Sequence, residues 1–150
     1  MKLLSIICAL LLLIAVSSAS TNGLICAYGE ISYTRDSICS CIPWYSCHDI
    51  SLNQYSVRTW TDSVTGQTFT QFNVEIINHL VVNVKNIVIG SDASLCLRDS
   101  SSIWNMQLLS NGNLILPSVQ PSINKDNSYT FGFILKGTHK ANLYIKAVVY

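Results

Sequence analysis

Charged residues are scarce in this sequence of 150 residues. They make up 11% of the chain, and the formal net charge at pH 7 is +1. If Lys2 is removed with the leader discussed below, the positive and negative side chains balance. A protein that follows nucleic acid phosphates or binds acidic lipid headgroups needs a positive field. The composition therefore argues against nucleic acid, and against any strongly ionic polymer, as a partner.

The sequence also lacks the spacings that carry most enzyme chemistry. Its eight carboxylates stand singly, its three histidines have no neighbours at metal-ligand spacing, and its glycines do not cluster into a phosphate-binding loop. A nucleophile elbow of the Gly-x-Ser-x-Gly type is absent as well. We therefore expect no catalytic residues, no metal and no cofactor. The alternative, a small glycan-active enzyme, requires two carboxyl groups that face each other across a groove.

A secretory leader is the clearest signal at the start of the chain. Lys2 precedes an apolar run from Leu3 to Val16, and small residues follow at Ser17 to Ser20. This is the pattern of a signal peptide, with cleavage expected after Ala19. The apolar run is shorter than a bilayer span. The sequence thus predicts a leader over residues 1–19, a secreted protein and no membrane span in the mature chain.

Four cysteines fall within a short segment that has little periodic apolar pattern. They are Cys26, Cys39, Cys41 and Cys47. In an oxidising compartment these predict two disulfides. Residues 39 and 41 are too close in an extended segment to bond to each other without strain, so each pairs with residue 26 or 47, and both arrangements stay open. A metal site that uses three of these cysteines with His48 fits no standard zinc spacing.

The fifth cysteine of the mature chain, Cys96, is left without a partner in this scheme. Its neighbours Leu95 and Leu97 predict a buried free thiol. Pairing between molecules, or with the N-terminal segment, is the less favoured alternative.

Alternating apolar and polar residues predict short strands along the rest of the chain. In Thr68 to Ile77, Phe72, Val74 and Ile76 share one face and polar residues share the other. Residues 49–54 are polar enough for a linker, and Asn111-Gly112 predicts a hairpin. The expected strands follow. They are 56–60, 68–77, 82–89, 103–109, 114–116, 129–135 and 141–150. Since helical periodicity is absent after the leader, the fold class predicted is all-β, an antiparallel two-sheet sandwich.

Aromatic and amide side chains remain as candidate binding groups. Neutral sugars present flat C–H faces ringed by hydroxyls, and exposed aromatic rings and amides suit them without any net charge. A tryptophan in a sandwich is more often part of the core. Solvent exposure of Trp60 and Trp104 therefore distinguishes a sugar-binding protein from an adhesion or structural module whose partner is another protein.

From Tyr55 to Tyr150 the sequence resembles carbohydrate-binding module family 49, a cellulose-binding β-sandwich. The matching pieces are Arg58-Thr59-Trp60, Gly66-Gln67-Thr68-Phe69, Gln71-Phe72, Val74-Glu75-Ile76-Ile77-Asn78, Val84-Lys85-Asn86-Ile87, Ile103-Trp104-Asn105, Leu116-Pro117-Ser118 and Tyr129-Thr130-Phe131-Gly132-Phe133-Ile134. The resemblance implies a carbohydrate-binding domain over residues 55–150, preceded by a cysteine-rich segment over residues 20–54.

The resemblance also implies the ligand and the residues that contact it. Cellulose or another neutral β-glucan is the expected partner, and the aromatic contacts fall on Trp60, Phe69 and Trp104. Val119 stands where the family has a further aromatic residue, and Phe69 lacks the hydroxyl of the family's tyrosine. A non-catalytic protein of an extracellular matrix or cell wall is the expected function, with residues 20–54 available to a protein partner.

Overall fold

The regular structure of this protein consists of strands. A computed structural model describes residues 30–35, 38–43 and 49–150, and the elements of this part of the chain are all strands. In chain order they are β1 (Glu30–Arg35), β2 (Ile38–Pro43), β3 (Ile50–Thr61), β4 (Thr68–Asn78), β5 (Asn86–Ser91), β6 (Ile103–Trp104), β7 (Gln107–Leu108), β8 (Leu114–Ile115), β9 (Ser128–Lys136) and β10 (Leu143–Val149). None of the described residues belongs to a helix that is long and apolar enough to cross a membrane.

The strands form two sheets. The larger has the order β2-β1-β10-β5-β8-β7, and the smaller has the order β3-β4-β9-β6. Neighbouring strands are antiparallel with one exception, the pair β1 and β10, where Ser32 lies opposite Ala147 in a parallel register. The prediction of an all-β, two-sheet sandwich is confirmed.

The core lies between the two sheets and follows the alternation of the strands. Phe72, Val74 and Ile76 of β4 are almost completely buried, whereas the residues between them are partly exposed. Strand β9 contributes Phe131 and Phe133, whose ring centroids lie 6.0 Å apart. Burial of one face per strand is the usual way in which an antiparallel sheet packs on a partner. Each sheet therefore keeps one outer face towards solvent.

Three sequence predictions about strand boundaries are wrong. The strand expected over 82–89 begins only at Asn86 and ends at Ser91, as β5. Residues 50–54, expected as part of a linker, form the start of β3, because Ile50 is buried and pairs with Asn78. The single strand expected over 103–109 is divided between the sheets, with β6 in the smaller sheet and β7 in the larger. Asn105, which lies between them, has φ 62°. This left-handed turn redirects the chain from one sheet to the other.

The predictions at the N-terminal end are tested only in part. Strands β1 and β2 extend the larger sheet, and Cys41 of β2 is disulfide-bonded. The leader, Cys26 and Cys47 lie outside the described residues, so the disulfide pairing stays a prediction. Cys96 is a free thiol, as expected, but it is exposed rather than buried.

Asn78 closes one end of the sandwich through a buried set of hydrogen bonds. Its side chain is 1% exposed. Nδ2 donates to the carbonyl oxygens of Val82, Ile123 and Asn124 at 2.9, 3.2 and 3.0 Å, and Oδ1 accepts from the backbone N–H of Leu80 at 3.0 Å. One side chain thus satisfies backbone groups of two separate loops.

Replacing Asn78 with alanine is expected to lower the free energy of unfolding by about 3 kcal/mol, because backbone groups at this end lose their partner. Urea denaturation of the variant and the parent measures the difference. The control is Asn53→Ala, at an exposed position of β3, which should leave the stability nearly unchanged. A loss at residue 78 no larger than that of the control contradicts the structural role given to this amide.

Candidate functional site

The outer face of the smaller sheet collects the aromatic and amide residues that the sequence singled out. On β4 the residues between the buried ones point outwards, and the register of β3 and β9 identifies their neighbours. We call this surface the front face. It is limited to the rows from Trp60 to Trp104, namely Tyr55, Arg58, Trp60, Phe69, Gln71, Asn73, Trp104, Gly132 and Ile134; Lys136, beside Phe69, and Glu75 and Thr130, in the row beyond Asn73, lie on the same side of the sheet at its borders. They lie in rows across the strands, which is the arrangement through which side chains on a sheet contact each other.

One end of the front face carries a pair of aromatic rings. Trp60 of β3 lies opposite Phe69 of β4, and their ring centroids are 5.9 Å apart with an interplanar angle of 39°. The guanidinium carbon of Arg58 lies 4.9 Å from the centroid of the Trp60 ring. This is within the range of a cation–π contact. Arg58 and Phe69 therefore hold the indole of Trp60 from two neighbouring positions.

Trp104 belongs to the edge strand β6, and its ring lies over a residue without a side chain in the neighbouring strand. It pairs with Gly132 of β9, and a Cβ atom built at that glycine would lie 2.3 Å from Cζ2 of the indole. Gly132 does not have a positive φ, so its backbone conformation does not require glycine. A glycine inside a strand often marks a close approach of another group, and an aromatic ring from the next strand takes the vacant space here. The absence of a Cβ is what allows the indole to approach the backbone of Gly132 this closely.

The turn that follows Trp104 is fixed by two hydrogen bonds to β9. Nδ2 of Asn105 donates to the carbonyl oxygen of Thr130 at 3.2 Å, and the hydroxyl of Tyr129 donates to the carbonyl oxygen of Asn105 at 2.8 Å. Burial raises the pKa of Tyr129, so the hydroxyl stays protonated as a donor at neutral pH. Asn105 is therefore anchored to β9 through its side chain and its carbonyl group, and this fixes the backbone next to Trp104.

Tyr55 belongs to the front face although the sequence did not place it there. The register of β3 with β4 shifts between Ser56 and Arg58, which leaves Val57 as an additional residue in β3. Tyr55 and Trp60 are five residues apart and would point to opposite faces of a regular strand. The bulge at Val57 places both on the front face, opposite Asn73 and Phe69. Tyr55 is 47% exposed, and no feature of the sequence alone distinguishes this bulge.

The three predicted contact residues share this face but do not form one cluster. Trp60 and Phe69 are direct neighbours. Trp104 lies in another row, with Gly132 and Asn73. Along β4, this row and that of Trp60 are four residues apart, or about 14 Å. Both tryptophans are half-buried, outside the core between the sheets.

Between the two aromatic rows the front face carries one row of mainly polar side chains. Gln71 of β4 is flanked by Arg58 of β3 and Ile134 of β9, and Asn73 follows in the next row. The amides of Gln71 and Asn73 are partly exposed, and each supplies both donors and an acceptor. Val119 is 87% exposed in the turn after β8, a strand of the other sheet.

In the part of the chain that the structure describes, three carboxyl groups have shifted pKa values, and all three shifts are downward. The backbone N–H of Thr65 lowers the pKa of Asp62, and the hydroxyl of Ser94, followed by the Asn142 amide, lowers that of Asp92 to about 2. For Asp99 the hydroxyl of Ser101 has the largest effect, followed by Arg98. A general acid that works near neutral pH needs a raised pKa, so these groups are unsuited to that role. Among the described residues, no group of three or more His, Cys, Asp or Glu side chains is placed to hold a metal ion.

Comparison with known proteins assigns the chain to a family. The profile of the family described as "Carbohydrate binding domain CBM49" matches residues 50–136. The chain belongs to the CBM49 family. The matched range contains the whole front face and begins at the first residue of β3. This CBM49 domain therefore includes residues 50–54, which the sequence pattern had assigned to a linker.

Two relatives of this CBM49 protein match it over nearly its full length. They are "Stalk-specific protein A" and "Stalk-specific protein B" of Dictyostelium discoideum, 46% and 44% identical, and each alignment covers 99% of both chains. Among solved structures, "Chitinase ChiA74 from Bacillus thuringiensis" aligns with a TM-score of 0.45 and 18% identity over 62% of this chain and 15% of that chain. A likeness this weak carries no weight for function.

Proposed function

We propose that this protein is secreted, has no catalytic activity, and binds cellulose or a related neutral β-glucan through the front face. The observation that carries the proposal is the position of Trp104, whose indole lies over Gly132, is half-buried, and shares a row with Asn73 and Tyr55. A ring held in this way offers its face to a flat ligand. Membership of a carbohydrate-binding family supports the same reading.

The chemistry of the front face suits a neutral polysaccharide ribbon. The rings of Tyr55, Trp60 and Trp104 supply apolar surface for the C–H faces of sugar rings, and Gln71 and Asn73 supply hydrogen bonds for hydroxyls. By analogy with the stacking of nucleic acid bases, each ring contributes on the order of 1–3 kcal/mol. These side chains lie on hydrogen-bonded strands and not on loops, so we expect little backbone freedom to be lost when the ligand binds.

Export to a matrix or cell wall is the second part of the proposal. The leader over residues 1–19 supports secretion. The relatives carry the name "stalk-specific", and we infer that this protein has a related place in an extracellular structure.

The variant Trp104→Ala tests the proposal. Loss of the indole is expected to lower the affinity for microcrystalline cellulose at least about tenfold, from the lower part of the stacking range. A pull-down with increasing amounts of cellulose measures the bound fraction of the parent and the variant. The control is Val64→Ala, in the β3–β4 hairpin, where the side chain is 92% exposed; it should bind like the parent. Equal binding by the parent and Trp104→Ala, or no binding by the parent, contradicts the proposal.

A further inference from the structure

The outer face of the larger sheet repeats the arrangement found around Trp104. Tyr144 of β10 lies opposite Gly90 of β5, and a Cβ atom built at that glycine would lie 2.6 Å from Cε2 and Cζ of the tyrosine ring. Gly90, like Gly132, is inside a strand and does not have a positive φ. The ring of Tyr144 is 42% exposed. It therefore lies against the backbone of Gly90 and is partly open to solvent.

An asparagine completes the row in both sheets. On the front face the order across neighbouring strands is Trp104, Gly132, Asn73. In the larger sheet, Ile89 pairs with Leu114, so the next position of the same register sets Gly90 opposite Asn113. The order there is Tyr144, Gly90, Asn113. The two outer faces of the sandwich thus present the same sequence of groups, which are a flat ring, a glycine and an amide.

The surroundings of Tyr144 suit a neutral hydroxylated ligand. The alkyl chain of Lys146 shares the space over Gly90, with its Cδ 2.7 Å from a Cβ built there, and its ammonium donates to Oδ1 of Asn113 at 3.2 Å. On the other side of the ring, Nδ2 of Asn142 donates to Oδ2 of Asp92 at 2.8 Å. Lys146 and Asp92 are each hydrogen-bonded to an amide, so neither is an unpaired charge beside the ring. Amide and carboxylate oxygens at both edges can accept hydrogen bonds from sugar hydroxyls.

We propose that Tyr144, Gly90 and Asn113 form a second and weaker binding site for the same neutral β-glucan, on the face of the sandwich opposite the front face, with one aromatic ring where the front face has several. The inference rests on the proposed function of the front face. A protein with one site on each outer face joins two glucan surfaces, since the sites point in opposite directions. The protein then acts as a cross-link within a glucan matrix and not only as a coating on it.

Flocculation of cellulose nanocrystals tests this site separately from the front face. The parent is expected to bind the nanocrystals and to sediment them as aggregates at low protein concentration. Tyr144→Ala should still bind, through the front face, but should lose the ability to aggregate them. Tyr144→Phe keeps the flat ring and should aggregate them like the parent, and Tyr144→Leu keeps an apolar side chain without a flat ring and should not. Thermal unfolding of each variant confirms that it is folded.

The outcomes distinguish the two proposals. If Tyr144→Ala aggregates nanocrystals as well as the parent does, the second site is excluded and the front face stands. The same result is expected if the parent forms a dimer and each of its two front faces binds a different nanocrystal. If the parent binds and Trp104→Ala does not bind even at saturating nanocrystals, the front face alone holds the glucan and the second site is excluded. If the parent does not bind nanocrystals at all, the proposed function fails, and the second site fails with it.

Discussion

Replacing Gly132 with alanine is expected to lower the affinity for cellulose about 100-fold, near the upper end of what one stacked ring contributes. The new Cβ would lie 2.3 Å from Cζ2 of Trp104, a distance that forces the indole to leave its position. The ring then stands away from the sheet, where it no longer offers its face and also obstructs a flat ligand. The variant thus loses the stacking contact and also gains a displaced ring that obstructs the ligand. Its loss of affinity should therefore exceed that of Trp104→Ala.

The same substitution is expected to change the stability only slightly. The atoms nearest to the new methyl group belong to the end of a half-buried side chain that can move into solvent. Removal of a glycine from a strand also favours the folded state, which offsets part of the overpacking cost of about 1 kcal/mol. A folded protein with impaired binding is the expected result.

Three measurements check this prediction. Cellulose pull-down gives the affinity, urea denaturation gives the stability, and quenching of tryptophan fluorescence by iodide should increase as Trp104 becomes exposed. The matched control is Gly90→Ala, which displaces Tyr144 on the opposite face by the same mechanism and should retain cellulose binding through the front face. Unchanged affinity of Gly132→Ala, together with increased quenching, contradicts the role given to the flat indole.

The parts of this fold that follow a regular period could be predicted from the sequence. In β4, strict alternation separates the buried Phe72, Val74 and Ile76 from the outward residues, and the structure has the strand where the pattern places it. The pair Asn111-Gly112 predicts the hairpin between β7 and β8, where Gly112 has φ 81°. In both cases the local residues determine the conformation without help from distant parts of the chain.

The features that assemble the candidate site could not be predicted, because each depends on contacts between distant residues. The bulge at Val57 places Tyr55 with Trp60, and it is defined by pairing with a second strand. The change of sheet at Asn105 interrupts a segment whose composition reads as one strand. The close approach of Trp104 to Gly132 joins residues 28 positions apart. Candidate ring residues were therefore identifiable, whereas their relative positions were not.

Phe133, the residue after Gly132 in β9, points into the core and not towards the ligand. Its truncation to alanine is expected to be the most destabilising change considered. Phe133 is completely buried, and its ring centroid lies 6.0 Å from that of Phe72 and 6.0 Å from that of Phe131. Phe133→Ala removes the central ring of this group and leaves a cavity between the sheets. The expected loss is about 4 kcal/mol of the free energy of unfolding. Against a total of about 5–15 kcal/mol for a domain of this kind, the loss is a large share.

Urea denaturation measures this loss, with the exposed Val64→Ala variant as the control. Because Trp104 rests on the backbone of Gly132 and not on the ring of Phe133, the fraction of Phe133→Ala that remains folded should bind cellulose like the parent. Pull-downs at low temperature and without urea, normalised to the folded fraction, test this point. A normal stability for Phe133→Ala contradicts the core described between the sheets. Reduced binding by its folded fraction means that packing between the sheets also controls the front face. The inward residue Phe133 and the outward residue Gly132 of β9 would then not act independently.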